Sequence, residues 1–197
     1  NLMGRHYGAE VSARDTKVIF DPSDNRSKVG SISFSNAADV LNAIARLKQN
    51  YNWQQSAAIH RAGVLIKAAE LMLIKRADLS ALISYESGKS ILEALGDVDE
   101  AIDFLKFYAV EEVKIHQECA EVKSRSLVGV IAPWNFPLAI PCGMVVGALA
   151  AGNKVIFKSS ENSPLIAQTL VELLYTAGVP QDALVHVPGR GAVIGDV

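Results

Sequence analysis

The segment Gly129-Val130-Ile131-Ala132-Pro133-Trp134-Asn135-Phe136-Pro137 decides how this chain folds. It joins an apolar strand, residues 127–132, to a turn that two prolines stiffen, and an apolar run compatible with a helix follows over residues 138–151. We call residues 133–137 the PWNFP turn. A neutral amide such as Asn135, held on a stiff turn at the carboxyl end of a strand, can donate hydrogen bonds to a developing oxyanion. Open α/β sheets bind their ligands at this same edge, so the turn is a candidate site.

Two more strands are predicted downstream of this turn. The three strand candidates start about 27 to 30 residues apart, which is the length of a strand–helix unit, and they cover residues 127–132, 154–157 and 184–187. Ser163 followed by Pro164 predicts the start of a helix. Gly178 with Pro180 predicts its end. Short strands that alternate with helices indicate a parallel, right-handed, doubly wound sheet, and thus the α/β class.

Helix signals dominate the first part of the chain, residues 1–126. Caps and periodic apolar positions predict helices that begin after Asn36, at Ala58, at Asp78 and at Ser90. Gly88 is expected to end the third of these helices. The acidic residues at 97, 99, 100 and 103 are read as a solvated helix face.

Short β segments are also predicted in the first part of the chain. Residues 18–20 predict a strand that a turn cluster at residues 21–25 closes. Residues 113–126 lose the helical period, which favours a short β excursion there. We therefore expect two domains: a helical layer over residues 1–126 and a parallel α/β sheet over residues 127–197.

The distribution of charge supports this division. Of the 19 Lys and Arg residues and the 21 Asp and Glu residues, most precede residue 126. The charged residues after that point are Lys154, Lys158, Glu161, Glu172, Asp182, Arg190 and Asp196. The second part therefore resembles a buried parallel sheet with its covering helices, and the first a solvated layer.

The bulk composition excludes several classes of protein. A formal net charge of -2 over 197 residues gives no electrostatic footprint for nucleic acid or an anionic membrane. Apolar runs are too short for a membrane span, and the first residues have no apolar core of a signal peptide. Cys119 and Cys142 make no disulfide or metal framework and the four histidines show no metal spacing, so we predict no metal and a cytoplasmic location.

The segment Lys158-Ser159-Ser160-Glu161, called the KSSE turn, directly follows the second strand. An ammonium that donates and a carboxylate that accepts suit the hydroxyl pair of a ribose. On spacing alone, a solvated pair beside a helix amino terminus is the more common explanation.

The third strand leads into a glycine-rich segment, Pro188-Gly189-Arg190-Gly191 with Gly195 beyond it. We call residues 188–191 the PGRG turn. Glycines here permit close approach of the backbone to a cofactor. The spacing is not that of the dinucleotide fingerprint GxGxxG, and taken alone such a segment is more often a plain strand-to-helix turn.

In this order, and at this spacing, the PWNFP, KSSE and PGRG turns resemble the aldehyde dehydrogenase superfamily. Residues 86–89 and 99–104 are similar to its helical segments. Residues 148–153 (ALAAGN), residues 177–180 (AGVP) and the PGRG turn resemble one branch, the L-glutamate γ-semialdehyde (1-pyrroline-5-carboxylate) dehydrogenases, and specifically the dehydrogenase module of the bifunctional proline utilization A proteins. The likeness extends from about Val18 onward.

The resemblance implies NAD-dependent oxidation of an aldehyde to a carboxylate through a thioester on a catalytic cysteine, in a homo-oligomeric enzyme of proline catabolism. It implies an incomplete Rossmann-like NAD-binding domain over residues 127–197. The KSSE turn departs from the more usual Lys-Pro-Ala/Ser-Glu but keeps both gripping positions. The implied roles are oxyanion amide for Asn135, cofactor pocket for Ile131, Ala132, Pro133 and Trp134, ribose grip for Lys158 and Glu161, and approach to the adenine side for Gly191 and Gly195.

The catalytic cysteine and the glutamate base of this family are expected after the last motif present here. We therefore expect the chain to be the N-terminal part of a longer enzyme and to be inactive by itself. Cys142 and Cys119 are not expected to be the nucleophile. If the whole protein is of the proline utilization A type, FAD would belong to a separate proline dehydrogenase domain.

Two other functions remain open. One is an aldehyde dehydrogenase of another branch, such as a succinate-semialdehyde or betaine-aldehyde type. The other is a non-catalytic nucleotide-binding or assembly module that keeps the scaffold.

Overall fold

A computed structural model describes residues 6–7, 15–119, 121–195 and 197. The strands are β1 (His6–Tyr7), β2 (Thr16–Asp21), β3 (Asp24–Ser33), β4 (Leu127–Ile131), β5 (Lys154–Lys158) and β6 (Leu184–His186). The helices are α1 (Ala37–Gln49), α2 (Asn52–Gln55), α3 (Ala58–Ile74), α4 (Arg76–Ser87), α5 (Ile91–Glu118), α6 (Ala139–Ala150), α7 (Pro164–Ala177) and α8 (Gly191–Ile194). None of the helices in the described ranges has both the length and the apolar character needed to cross a membrane.

The predicted parallel sheet is present, with the strand order β4-β5-β6. Its register aligns Leu127 with Lys154 and Val155 with Leu184, so all three strands end at one edge. Helix α6 connects β4 to β5, and α7 connects β5 to β6. Val155 and Phe157 on the central strand are completely buried, as expected when helices cover a parallel sheet. The α/β class and the partial Rossmann-like sheet are confirmed.

A second sheet, which the sequence analysis predicted only in part, lies in the first part of the chain. The strand at residues 18–20 and the turn after it are confirmed as β2 and the start of a hairpin, in which Asp21 Oδ1 accepts the Ser23 N–H at 2.7 Å. The partner strand β3 was missed because serine and glycine weaken its β pattern. Val29 and Ile32 are nevertheless buried in the core, and this tertiary packing makes the segment a strand. Residues 1–126 are therefore not purely helical.

The helix caps predicted at Asn36, Ser90 and Gly88 are confirmed. Asn36 and Asp39 form a capping box on α1, and Ser90 and Glu93 form another on α5. Gly88 ends α4 with a positive φ of 74°, which a residue with a Cβ adopts at a cost. Helix α4 begins at Arg76, before the predicted start.

The β excursion predicted over residues 113–126 is wrong. Helix α5 continues through Glu118, and the described residues after it form a turn and coil until β4. The helix persists because its contacts are tertiary: Val113 packs against the core, and the buried Glu112 pairs with Arg61 of α3. A periodicity count over the sequence does not detect such contacts.

One hydrophobic core joins residues from both sides of position 126. It extends from Ile19 and Leu65 to Leu105, Val146 and Leu184. The boundary between two domains at residue 126 stays a prediction, but the two parts share their buried surface.

The buried Arg61 connects three elements within this core. Its Nε donates to the Ala150 carbonyl at 2.7 Å, and its other nitrogens donate to the Ser56 carbonyl and the Glu112 carboxylate. The side chains of Arg61 and Glu112 are only 3% and 5% exposed. Breaking such a pair leaves an uncompensated buried charge.

We therefore expect Glu112→Ala to lower the free energy of unfolding by about 3–5 kcal/mol, measured by urea denaturation. The matched control is Asp99→Ala, which breaks the Arg76–Asp99 pair on the surface, where the side chains are 37% and 49% exposed. That change is expected to cost less than about 1 kcal/mol. Equal losses of unfolding free energy in the two variants would contradict the conclusion that Glu112 compensates the buried charge of Arg61.

Candidate active site

The PWNFP and KSSE turns leave the parallel sheet side by side. The Ala132 N–H donates to the Lys158 carbonyl at 3.1 Å, which extends the pairing of β4 and β5 by one residue. The two turns therefore begin at the same edge of the sheet, where α/β proteins bind ligands.

The PWNFP turn presents its predicted site residues to solvent. Pro133, Trp134 and Asn135 are exposed, while Pro137 is buried. No residue that the structure describes makes a hydrogen bond with the Asn135 amide. That amide is consequently available to donate to a bound oxyanion.

A buried carboxylate fixes the position of this turn. Asp97 is 2% exposed; its Oδ1 accepts the Ala139 N–H at 2.6 Å, and its Oδ2 accepts from Lys89 Nζ at 2.9 Å. The same ammonium lies 4.2 Å from the ring centre of Phe136. The expectation of a solvated acidic face was wrong for Asp97, because this carboxylate caps the first turn of α6 from inside the protein.

The KSSE and PGRG turns meet at the same end of the sheet. Glu161 Oε1 accepts the Gly191 N–H at 3.4 Å. Lys158 Nζ donates to the Ser159 carbonyl at 3.1 Å. A cavity of about 320 Å³ is bounded by the strand edge of β4 and includes Ile131, Lys158 and Gly195 in its lining. Pro133, Trp134 and Asn135 lie outside the lining of this cavity.

The two predicted glycines differ in their surroundings. A Cβ at Gly195 would lie 2.5 Å from the Gly191 carbonyl oxygen, so the local backbone itself requires glycine there. A Cβ at Gly191 would meet no atom within 4 Å. Packing within the described chain therefore accounts for Gly195 and leaves room beside Gly191.

Lys17 is a supporting residue that the sequence analysis missed. Its Nζ donates to the Glu161 carbonyl at 2.6 Å from strand β2. The signal was absent from the sequence because Lys17, on β2, and Glu161, in the KSSE turn, are far apart along the chain.

Glu86 supports the KSSE turn from helix α4. Its Oε1 accepts the Leu165 N–H at 2.7 Å and its Oε2 accepts the Ile166 N–H at 2.9 Å, at the first turn of α7. Ser163, the predicted cap, makes no side-chain capping bond. Burial raises the pKa of Glu86 to about 8, although the two N–H donors and the charge of Lys17 oppose that shift.

The two cysteines occupy different environments. Cys142 is completely buried, and its Sγ–H donates to the Ala101 carbonyl oxygen, which lies 3.6 Å from the sulfur. Burial, together with the nearby Asp97 carboxylate, raises the pKa of the Cys142 thiol above its usual range. A buried thiol held in its protonated form is not a nucleophile that a substrate can reach. Cys119 is exposed at the end of α5.

His186 also belongs to this end of the sheet, and the sequence analysis did not identify its polar contacts. It lies at the end of β6, with Nδ1 2.7 Å from Gln168 Oε1 and Nε2 2.9 Å from Ser159 Oγ. Its ring stacks on Phe157 with centroids 5.1 Å apart. Burial, with a smaller contribution from the charge of Lys158, lowers the pKa of His186 to about 3.

The chain is similar to known proteins over almost its whole length. The model of the aldehyde dehydrogenase family matches residues 10–197. A 1-pyrroline-5-carboxylate dehydrogenase of Oceanobacillus iheyensis is 35% identical over 98% of this chain and 41% of its own length. The chain therefore spans well under half the length of such relatives.

Solved structures give the same result. A 1-pyrroline-5-carboxylate dehydrogenase from Thermus with bound NAD matches with a TM-score of 0.88 and 33% identity, over 98% of this chain and 41% of that one. Proline utilization A from Bdellovibrio bacteriovorus, inactivated by N-propargylglycine, matches with a TM-score of 0.87 and 33% identity, over 95% of this chain and 21% of that one.

The low pKa of His186 predicts a specific dependence of stability on pH. The ordinary value is 6.5 and the folded value is about 3, so between these pH values the unfolded state binds more protons. The free energy of unfolding should fall as the pH drops below about 6.5, by about 1–2 kcal/mol between pH 7 and pH 5. His186→Leu should remove this part of the dependence, whereas the exposed-site control His60→Leu should keep it. If the free energy of unfolding depends on pH identically in the wild type and in His186→Leu, the low pKa of His186 in the folded state is contradicted.

Proposed function

The chain belongs to the aldehyde dehydrogenase family, and on that basis we propose that the protein that carries it oxidises an aldehyde to a carboxylate with NAD. The observation that carries the proposal is the contact between Glu161 and Gly191, which joins the KSSE and PGRG turns beside Lys158 at the ligand-binding edge of a parallel sheet. The relative from Thermus with bound NAD supports the choice of cofactor.

The residues at this edge fit a dinucleotide. The ammonium of Lys158 can donate to one ribose hydroxyl, and the carboxylate of Glu161 can accept from the other. The open space beside Gly191 allows the cofactor to approach the backbone closely. Ile131 supplies an apolar wall, being 67% exposed at the end of β4. Bound NAD supplies the hydride acceptor of the reaction.

Asn135 is proposed as the oxyanion donor. In a reaction that passes through a thioester, negative charge develops on the aldehyde oxygen when a cysteine thiolate attacks. A neutral amide on a turn that Asp97 and Lys89 hold in place stabilises that charge without needing to reorient. Trp134 and Pro133 flank this amide on the exposed turn and are proposed to border the cofactor pocket.

The proposed substrate is L-glutamate γ-semialdehyde, with glutamate as the product. The relatives from Oceanobacillus and Thermus that are named 1-pyrroline-5-carboxylate dehydrogenases support this choice. The similarity to proline utilization A is compatible with either a monofunctional or a bifunctional whole protein. The choice of substrate is tested by assaying the full-length protein with a panel of semialdehydes and betaine aldehyde. A preference for succinate semialdehyde or betaine aldehyde would favour another branch of the family.

The cofactor assignment predicts the effect of removing Lys158. In the full-length protein, Lys158→Ala should weaken NAD binding about 10- to 100-fold, because a charge-assisted hydrogen bond to the ribose is lost. Isothermal titration calorimetry measures this change. Lys67→Ala, which removes an exposed lysine on α3, is the matched control and should bind NAD normally. Unchanged NAD affinity in a folded Lys158→Ala protein would refute the ribose grip.

The oxyanion assignment predicts a loss of kcat. Asn135→Ala should lower kcat about 10²- to 10³-fold and leave the KM values for NAD and aldehyde nearly unchanged, because the amide acts in the transition state. Asn42→Ala on the exposed side of α1 is the control. A protein with no aldehyde oxidation before any substitution, but with normal NAD affinity, would favour the non-catalytic binding module.

A further inference from the structure

Three polar side chains form a continuous hydrogen-bonded chain behind the KSSE turn. Ser159 follows β5 directly, His186 ends β6, and Gln168 lies on α7. The contacts measure 2.9 Å from Ser159 Oγ to His186 Nε2 and 2.7 Å from His186 Nδ1 to Gln168 Oε1. None of these residues has a role in the proposed chemistry.

The direction of the hydrogen bonds follows from the groups involved. The Gln168 Nε2 amide donates to Glu172 Oε1 at 3.3 Å, which turns its oxygen toward His186. Because that oxygen can only accept, His186 Nδ1 must carry the proton. Nε2 is then the acceptor and Ser159 is the donor. The chain is complete with a neutral imidazole.

The surroundings of His186 are consistent with this neutral tautomer. The ring stacks on Phe157, and the Lys158 ammonium disfavours a second positive charge nearby. Glu172 faces it only through Gln168. Asp39 and Arg46 of α1 line one cavity together with it.

We propose that the Gln168–His186–Ser159 chain positions Lys158 for the cofactor ribose, an inference that rests on the proposed function. Ser159 is only 1% exposed, so its hydroxyl cannot itself reach a ligand. Its carbonyl accepts from Lys158 Nζ at 3.1 Å, while its side chain is anchored on His186. The anchored residue therefore sets where the lysine ammonium rests. His186, Ser159 and Gln168 are positioning residues that act through Lys158.

The structure offers a reason why such an anchor is needed. The KSSE turn is held at Glu161 by Lys17 and by Gly191, and at its far end by Glu86 through α7. Between Lys158 and Glu161, the Ser159 side chain is what ties the turn to the strand beside it. Without that contact, the Lys158 carbonyl would stay paired with the Ala132 N–H, but Ser159, whose carbonyl accepts from Lys158 Nζ, would lose its tie to β6.

The test uses the full-length protein with Ser159→Ala, His186→Leu and the double variant. Each single change should raise the KM and the dissociation constant for NAD about two- to tenfold, the range expected for one lost hydrogen bond. The kcat at saturating NAD and the KM for the aldehyde should stay unchanged. Because both changes break the same contact, the double variant should bind NAD no more weakly than the weaker-binding single variant.

Two controls separate positioning from a general loss of structure. His186→Gln keeps a polar group near the Nε2 position and should recover part of the NAD affinity lost in His186→Leu. Thr176→Ala removes a hydroxyl from the exposed face of α7, where it donates to the Glu172 carbonyl, and should leave NAD binding unchanged. Thermal melts of all variants establish whether they fold. If His186→Leu does not fold, Ser159→Ala alone suffices for the test.

The outcomes distinguish the two proposals. If Lys158→Ala weakens NAD binding while folded Ser159→Ala and His186→Leu bind normally, the positioning inference is overturned and the cofactor site stands. Additive losses in the double variant, or equal losses in kcat and affinity, would also overturn it. If Lys158→Ala has no effect on NAD binding, the ribose grip itself fails.

Discussion

The candidate site depends on two buried carboxyl groups that reach from the helical layer to the amino ends of the crossover helices. Asp97 of α5 accepts the N–H of Ala139 at the start of α6, and Glu86 of α4 accepts two N–H groups at the start of α7. Neither α6 nor α7 has a side-chain cap or an acidic residue in its own first turn. The unpaired N–H groups and the positive helix ends are therefore satisfied from outside the helix. Because the PWNFP and KSSE turns lead into these helix starts, the two carboxyl groups also determine where Asn135 and Glu161 lie.

The same arrangement explains why the two parts of the chain form one core. Lys17 of the first sheet holds the Glu161 carbonyl, and the Ser35 N–H donates to the Pro188 carbonyl at 2.6 Å, beside the PGRG turn. Arg190 of that turn pairs with Asp15 at 3.2 Å, on the surface. The N-terminal sheet, with the residues Asp15 and Ser35 that flank it, thus supports two turns of the proposed cofactor site. Removing it would take away buried apolar surface and also three polar contacts that orient these turns.

The burial of ionisable groups at this end of the molecule has a structural consequence. Asp97 and Glu86 are buried and His186 is partly buried, so each is sensitive to the loss of its partner. Rigid, fully partnered supports of this kind would keep the proposed oxyanion and cofactor-binding groups in position before a ligand binds. Asn135 and the space beside Gly191 remain open, while the groups behind them are fixed.

The sequence by itself determined the parallel strands, most of the helix caps and the family, because these depend on local patterns: apolar runs, capping boxes and short motifs in a fixed order. It also identified Lys158, Glu161 and Asn135 as candidates, and their roles stay predictions. Only the tertiary structure decided that Asp97 is buried, that α5 continues to Glu118, that β3 is a strand, and that Lys17 and His186 support the KSSE turn. Each of these features depends on partners that are distant in the sequence. No local pattern encodes such a partner, because the contact exists only after the layers have packed.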